Sequence, residues 1–160
     1  MRGLFLSAIC FSLLAPPIYA DASCSLISYS DYQSMVRTSP IVDSVTDKYV
    51  GNYEVRSGTD LRGLITGSAT VDSGAFLEAY GMVGGDLMVG WNGTALIYGV
   101  VGGDLTVHNG LAGVYGQVSR SVHNRGGVVG VFGVVQGSVN CVAGGRLYEA
   151  ANSRVMGGVH

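Results

Sequence analysis

Apolar residues in the middle of the chain recur every six positions: Ile65, Val71, Leu77, Val83, Val89, Ala95, Val101 and Val107. Around them the chain alternates as strands do, with Leu87 and Val89, Leu105 and Val107, and Val139 and Cys141 on one side. A longer beat is superposed on this one. Aromatic-glycine pairs stand at Tyr80-Gly81, Tyr98-Gly99, Tyr115-Gly116 and Phe132-Gly133, and Tyr148, followed by Glu149, continues the series without its glycine. The aromatic spacings are 18, 17, 17 and 16 residues, so three six-residue beats make one unit. A unit this short cannot bury its own apolar face and must stack on the next. The pattern predicts an all-β fold, a parallel β-helix (β-solenoid) of about five triangular coils of 16 to 18 residues over residues 61–150. A helical reading fails because β-branched residues dominate and glycine, which costs about 1 kcal/mol in a helix interior, recurs throughout. A β-sandwich would not require a repeat of fixed length.

The flanks differ in texture. Residues 23–60 read as an N-terminal cap over the end coil. Within it, Ser30 to Arg37 forms a short helix, with Ser30 and Gln33 as a capping box, Tyr32, Met35 and Val36 on one face, and Pro40 beyond it. Tyr49 to Val55 alternates as a strand or hairpin. Residues 151–160 are short for a cap and leave that end available for self-association or a partner. Residues 1–22 have the layout of a secretory signal peptide: Arg2, an apolar run from Leu4 to Ala15, the Pro16-Pro17 break, and small residues Ala20 and Ala22. Cleavage is expected after Ala20 or Ala22. The run is too short to span a bilayer and no later one is longer, so the expected location is periplasmic or secreted, with no transmembrane segment in the mature chain.

Composition narrows the choice of function. Glycine supplies 26 of 160 residues and proline only 3, which excludes collagen and Pro/Gly-rich disorder alike. Apolar residues at 48% and charged residues at 12% argue for a packed chain. With Lys48 the only lysine and a formal charge of −2, no electrostatic footprint for nucleic acid is present. In a short coil the glycines belong at corners, where φ > 0 or close approach is needed. Cys10 leaves with the leader, so Cys24 and Cys141 remain. An exported compartment permits a disulfide between them, while the inward position of Cys141 equally suits a buried thiol.

The Val-Gly-Gly-Asp-Leu-x-Val units at residues 83–89 and 101–107, followed by Asn-Gly and by Gly-Val-Val-Gly corners, resemble the bactofilin (polymer-forming) β-helix. That resemblance covers Gly63 to about Gly145 and implies a non-enzymatic β-helix that stacks end to end. An export signal and so regular an aromatic series depart from the bactofilin pattern. The glycine rhythm is also similar to passenger repeats of secreted autotransporter adhesins, and the six-residue beat resembles the left-handed helix of acyltransferases.

The residues before each aromatic, Ala79, Ile97, Val114, Val131 and Leu147, are apolar. If they point inward, Tyr80, Tyr98, Tyr115, Phe132 and Tyr148 point outward as a column, a candidate partner-binding ladder. The competing expectation is that the N-terminal segment covers it. His108 and His123, both in Val-His-Asn, are too few for a catalytic zinc site. Asp86 and Asp104 suit turn hydrogen bonding better than a Ca²⁺ site. Asn92-Gly93-Thr94 is a glycosylation sequon only in a eukaryotic source. No nucleophile elbow, phosphate loop or Cys/His/Asn set occurs, so no catalytic residue, metal or cofactor is expected. The resulting expectation is a non-enzymatic exported protein working by protein-protein contact, for example a periplasmic inhibitor or immunity-type protein against a toxin or hydrolase. The alternatives are a self-assembling or adhesin-like protein and a left-handed β-helix enzyme.

Overall fold

The computed structural model describes residues 23–142 and 144–160. The leader, with Arg2, Cys10 and cleavage after Ala20 or Ala22, lies outside the described residues. The chain winds into a parallel β-solenoid of about seven coils with three sheet faces. The eight-stranded face runs in the order Ser25–Leu26, Arg146–Glu149, Val128–Val131, Leu111–Val114, Thr94–Ile97, Phe76–Ala79, Gly58–Leu61, Ile41–Val45. A seven-stranded face extends from Arg154–Val155 to Lys48–Tyr49, and a six-stranded face from Val139–Cys141 to Tyr53–Val55. Ile65, Val71, Leu77, Val83, Val89, Ala95, Val101 and Val107, the six-residue beat, are all fully buried in one core. Among the described residues, Thr59 takes an inward position in register with Leu77, and Asn124 stacks between Val107 and Cys141. Its amide accepts from the Gly127 N–H and donates to the Gly127 and Arg146 carbonyls, so no hydrogen-bonding capacity is stranded.

The coil number exceeds the expected five because the solenoid begins earlier and runs on through Arg154–Val155 and Val159. Ile41–Val45, Lys48–Tyr49 and Tyr53–Val55 pair in parallel with the second coil and form the first. A bulge between Ile41 and Asp43 breaks the spacing there, and no aromatic-glycine pair marks the corner. Lys48–Tyr49 and Tyr53–Val55 therefore belong to two faces and make no hairpin; Gly51 turns the corner between them at φ 109°. Helix α1 (Tyr29–Met35) starts one residue before the expected span, and its capping box joins Ser28 with Asp31, not Ser30 with Gln33.

Two corners explain the repeat's residues. At the aromatic-glycine corner, a Cβ on Gly81, Gly99, Gly116 or Gly133 would sit about 2 Å from a carbonyl oxygen of the preceding coil. Backbone approaches backbone there, and only hydrogen fits. At a second corner, Asn52, Ser68, Asp86, Asp104 and Ser121 each accept from a backbone N–H one coil further on, the N–H groups of Ser68, Asp86, Asp104, Ser121 and Ser138. The aspartates after Gly-Gly thus bond the next coil's turn. A Cβ on Gly103 would lie 2.1 Å from the Asp86 carboxylate, which is why glycine precedes Asp104.

Residues 23–40 are a strap and do not cap the first coil. Cys24 and Cys141 are joined by a disulfide with Cα atoms 5.0 Å apart, and Cys24 plugs the core at the C-terminal end. Ser25–Leu26 then pairs with Arg146–Leu147 as the last strand of the eight-stranded face. The chain crosses that face through α1 and enters the first coil after Pro40. At the end formed by residues 151–160 the strap therefore covers the eight-stranded face, while Arg154–Val155 and Val159 continue the seventh coil and Arg154–Val155 is the outermost strand of the seven-stranded face.

Candidate interaction surface on the aromatic ladder

The residue after each inward Ala79, Ile97, Val114 or Val131 lies at the glycine corner, so successive side chains stack one coil apart. Tyr80, Tyr98, Tyr115 and Phe132 form one continuous stack: centroids are 4.8, 4.9 and 4.4 Å apart and the planes lie within 16° of parallel. Tyr148 does not take the next rung. Register sets it beside Gly130, and Glu149 beside Val131, so the rung after Phe132 falls to Ala150. The 16-residue spacing was already two short. The Tyr148 ring still contacts Phe132 at 5.3 Å, tilted by 48°.

The two expectations for this column each hold over part of its length. At the C-terminal end, α1 lays Tyr29 edge-on to Phe132 (5.9 Å, 78°) and Tyr32 against both Phe132 (5.3 Å) and Tyr148 (6.0 Å). Tyr32 is fully buried with Phe76, Leu96 and Leu111, and Ile27, Met35 and Val36 close over the cluster. Burial, then the neighbouring phenols of Tyr115, Tyr98 and Tyr29, raise the Tyr32 pKa strongly. Toward the N-terminal end the rungs are open: Tyr80, Tyr98 and Tyr115 are 46%, 40% and 36% exposed. Arg62 ends the stack there, its guanidinium 5.2 Å from the Tyr80 ring centroid while its Nε donates to Asp60 at 2.7 Å.

A stack of this kind spends ring faces on its own neighbours and presents edges to solvent. Edges carry the positive part of the quadrupole and favour the face of another ring or a hydrogen-bond acceptor. Tyr29 and Tyr32 cross the Phe132 ring plane at 78° and 60°. Burial within the stack, then the Tyr115 and Tyr80 phenols and the Glu78 carboxylate, raise the Tyr98 pKa.

Sequence reasoning missed the seat for Tyr32. Gly113 and Gly130 lie in mid-strand, facing outward in register with each other. A Cβ on Gly113 would be 2.4 Å from the Tyr32 hydroxyl oxygen, and one on Gly130 would be 2.5 Å from its ring. Glycine inside a strand, away from any corner, was the available signal. The two histidines are not brought into register: His123 stands beside Thr106 and Asn140, and His108 beside Arg125. Among the described residues, no group of three or more His, Cys, Asp or Glu side chains is arranged to hold a metal ion. No helix among them is long and apolar enough to cross a membrane.

Comparison with family models, with curated proteins and with solved structures finds no match to this chain. Of the bactofilin-like reading, the structure shows the parallel β-solenoid, and no family model supports the rest.

Proposed function

We propose that this is an exported, non-enzymatic binding protein whose exposed rungs, Tyr80, Tyr98 and Tyr115, contact a partner protein. The observation that carries the reading is the division of one aromatic stack into a covered part and an open part. Three parallel rings on a disulfide-closed solenoid have few rotors left to freeze, which is what makes aromatic side chains dominate interfaces. The Cys24–Cys141 disulfide suits an oxidising compartment. An inhibitor or immunity-type role against a toxin or hydrolase is one form of this proposal, since a rigid contact surface suffices for it.

The test is recovery of partners from the exported fraction of the source cells with wild type, Tyr98→Ala/Tyr115→Ala and the surface control Met88→Ala. A protein retained by wild type and control and lost from the double variant, at unchanged melting temperature, supports the reading. Equal recovery by all three sinks it. Sedimentation over a concentration series separates the polymer-forming alternative, which requires species that keep growing with concentration.

A further inference from the structure

A cleft of about 280 Å³ opens where the strap leaves α1 and crosses the edge of the eight-stranded face. Arg37 and Met35 wall it from the strap; Asn92, Thr94, Asn109 and Arg146 wall it from the solenoid. Its electrostatics differ from the rest of a weakly acidic molecule, because two arginines line it and no carboxylate does. Arg56 pairs with Glu54 and Arg62 with Asp60, whereas Arg120, Arg125 and Arg154, like the cleft's Arg37 and Arg146, have no acidic partner among the described residues. What sets the cleft apart is that two arginines line one concavity. The contact Arg146 does make is Nη1 donating to the Met35 sulfur at 3.5 Å, a weak acceptor that leaves most of its five N–H groups unused.

The asparagines sharpen the site. Asn92 and Asn109 hold left-handed backbone, φ 59° and 51°, at successive coils of one corner, which fixes where their exposed amides stand. Guanidinium forks and amide N–H groups around a small concavity are the recognition set for a planar or tetrahedral oxyanion. The volume lies at the low end for ligand pockets, of order 300 Å³, and suits one anionic group with little attached to it.

We propose that this cleft binds an oxyanion, the phosphate or carboxylate group of a small ligand, between Arg37 of the strap and Arg146 of the solenoid. An anion there bridges the two parts and holds the strap down. The proposal is independent of what the tyrosine rungs bind.

The probes are inorganic phosphate and succinate, titrated at constant ionic strength made up with chloride and followed by the arginine Nε–Hε resonances. The expected result is saturable shifts at Arg37 and Arg146, with slower amide exchange over residues 29–36 as ligand binding stabilises the docked strap. Saturation by phosphate alone, by succinate alone or by both identifies the anion class and supports the site. Arg37→Gln and Arg146→Gln should each weaken binding by about tenfold or more, as loss of a charge-assisted bond implies. Arg37 is exposed on the strap, so its variant reads out even if Arg146→Gln perturbs the last coil. Shifts that never saturate, or that are equally large at the exposed Arg120 and Arg154, overturn the proposal.

Discussion

Gly130→Ala tests whether the strap is seated by a glycine well in the sheet. The added methyl carbon would lie 2.5 and 2.7 Å from Tyr32 ring atoms and 2.9 Å from the Phe132 ring. Contact between carbons is optimal at about 3.5–4.0 Å, so the Tyr32 ring must retreat by about 1 Å. It is fully buried between Phe132 and Tyr148 and has little room to do so. Overpacking of this kind costs about 1–3 kcal/mol, and the ceiling is the loss of a buried aromatic altogether, about 3–5 kcal/mol. In a Tyr32→Ala background only the 2.9 Å approach to the edge of the Phe132 ring remains, and that ring can turn into the space Tyr32 vacates. There alanine should be neutral or stabilising by about 0.5–1 kcal/mol, because glycine in a strand carries an entropic penalty. The expected result is that the cost vanishes or changes sign between backgrounds, a coupling of about 1–4 kcal/mol. Urea unfolding of the four proteins measures it, with amide exchange at residues 29–35 to show that α1 is what loosens. Gly99→Ala is the contrast: its methyl would lie 1.9 Å from the Gly81 carbonyl oxygen, and that backbone cannot retreat whatever stands at position 32. Equal destabilisation by Gly130→Ala in both backgrounds would show that the clash is with the sheet and refute the seat.

Two further outcomes follow from the geometry. Cys24→Ser/Cys141→Ser opens a link spanning 117 residues and should lower stability by about 2–5 kcal/mol, with exchange rising first at Ser25–Leu26 and α1, which scanning calorimetry and exchange mass spectrometry check. The Tyr53 hydroxyl donates to Asp43 at 2.7 Å, and burial followed by that carboxylate pushes its pKa up from 10.0 to about 12. A raised folded-state pKa means that this stabilisation is complete below pH 10 and is lost between about pH 10 and 12. Melting temperatures across that range should fall less steeply in Tyr53→Phe than in wild type, and an identical slope would contradict the assignment.

The solenoid was legible because stacking repeats its constraints every coil. The six-residue beat marks inward positions, and the glycine after each aromatic marks a backbone contact that no side chain survives. Where a constraint occurs once, the text is silent. The bulge at Ile41/Asp43 hid the first coil. The slip that sets Tyr148 beside Gly130 looked like one more rung, because an aromatic two residues early reads the same as one in place. The capping box slid by two residues among serines that all make acceptable caps, Ser28 and Ser30 being hydrogen-bonded to each other. The disulfide was left open by cysteine count alone, and the strap's path was not written in any periodicity. Tyr32 could be placed on an apolar face of a helix, but the face it meets is built by Gly113 and Gly130, some eighty to a hundred residues away.

The same asymmetry bears on whether coils of different molecules stack. End-to-end growth must pair the first coil of one molecule with the last coil of another. The last coil of the eight-stranded face is already covered by Ser25–Leu26, and Cys24 fills the core beneath it through its bond to Cys141. At the other end the outermost strands carry Asp43, Lys48 and Glu54, the bulge distorts Ile41–Val45, and Pro40, with no N–H to give, precedes it. Charges, bulges and proline are the devices by which sheet edges avoid pairing. Tyr53 also turns its ring inward beneath the first coil and is tied to Asp43, closing the core. A covalently anchored strap thus ends the eight-stranded face at one end, and the other end presents an edge unsuited to a partner strand. A chain selected to polymerise would leave at least one end clean. This one instead leaves open part of a lateral aromatic column, and that is the physical reason to prefer side-on binding over filament growth.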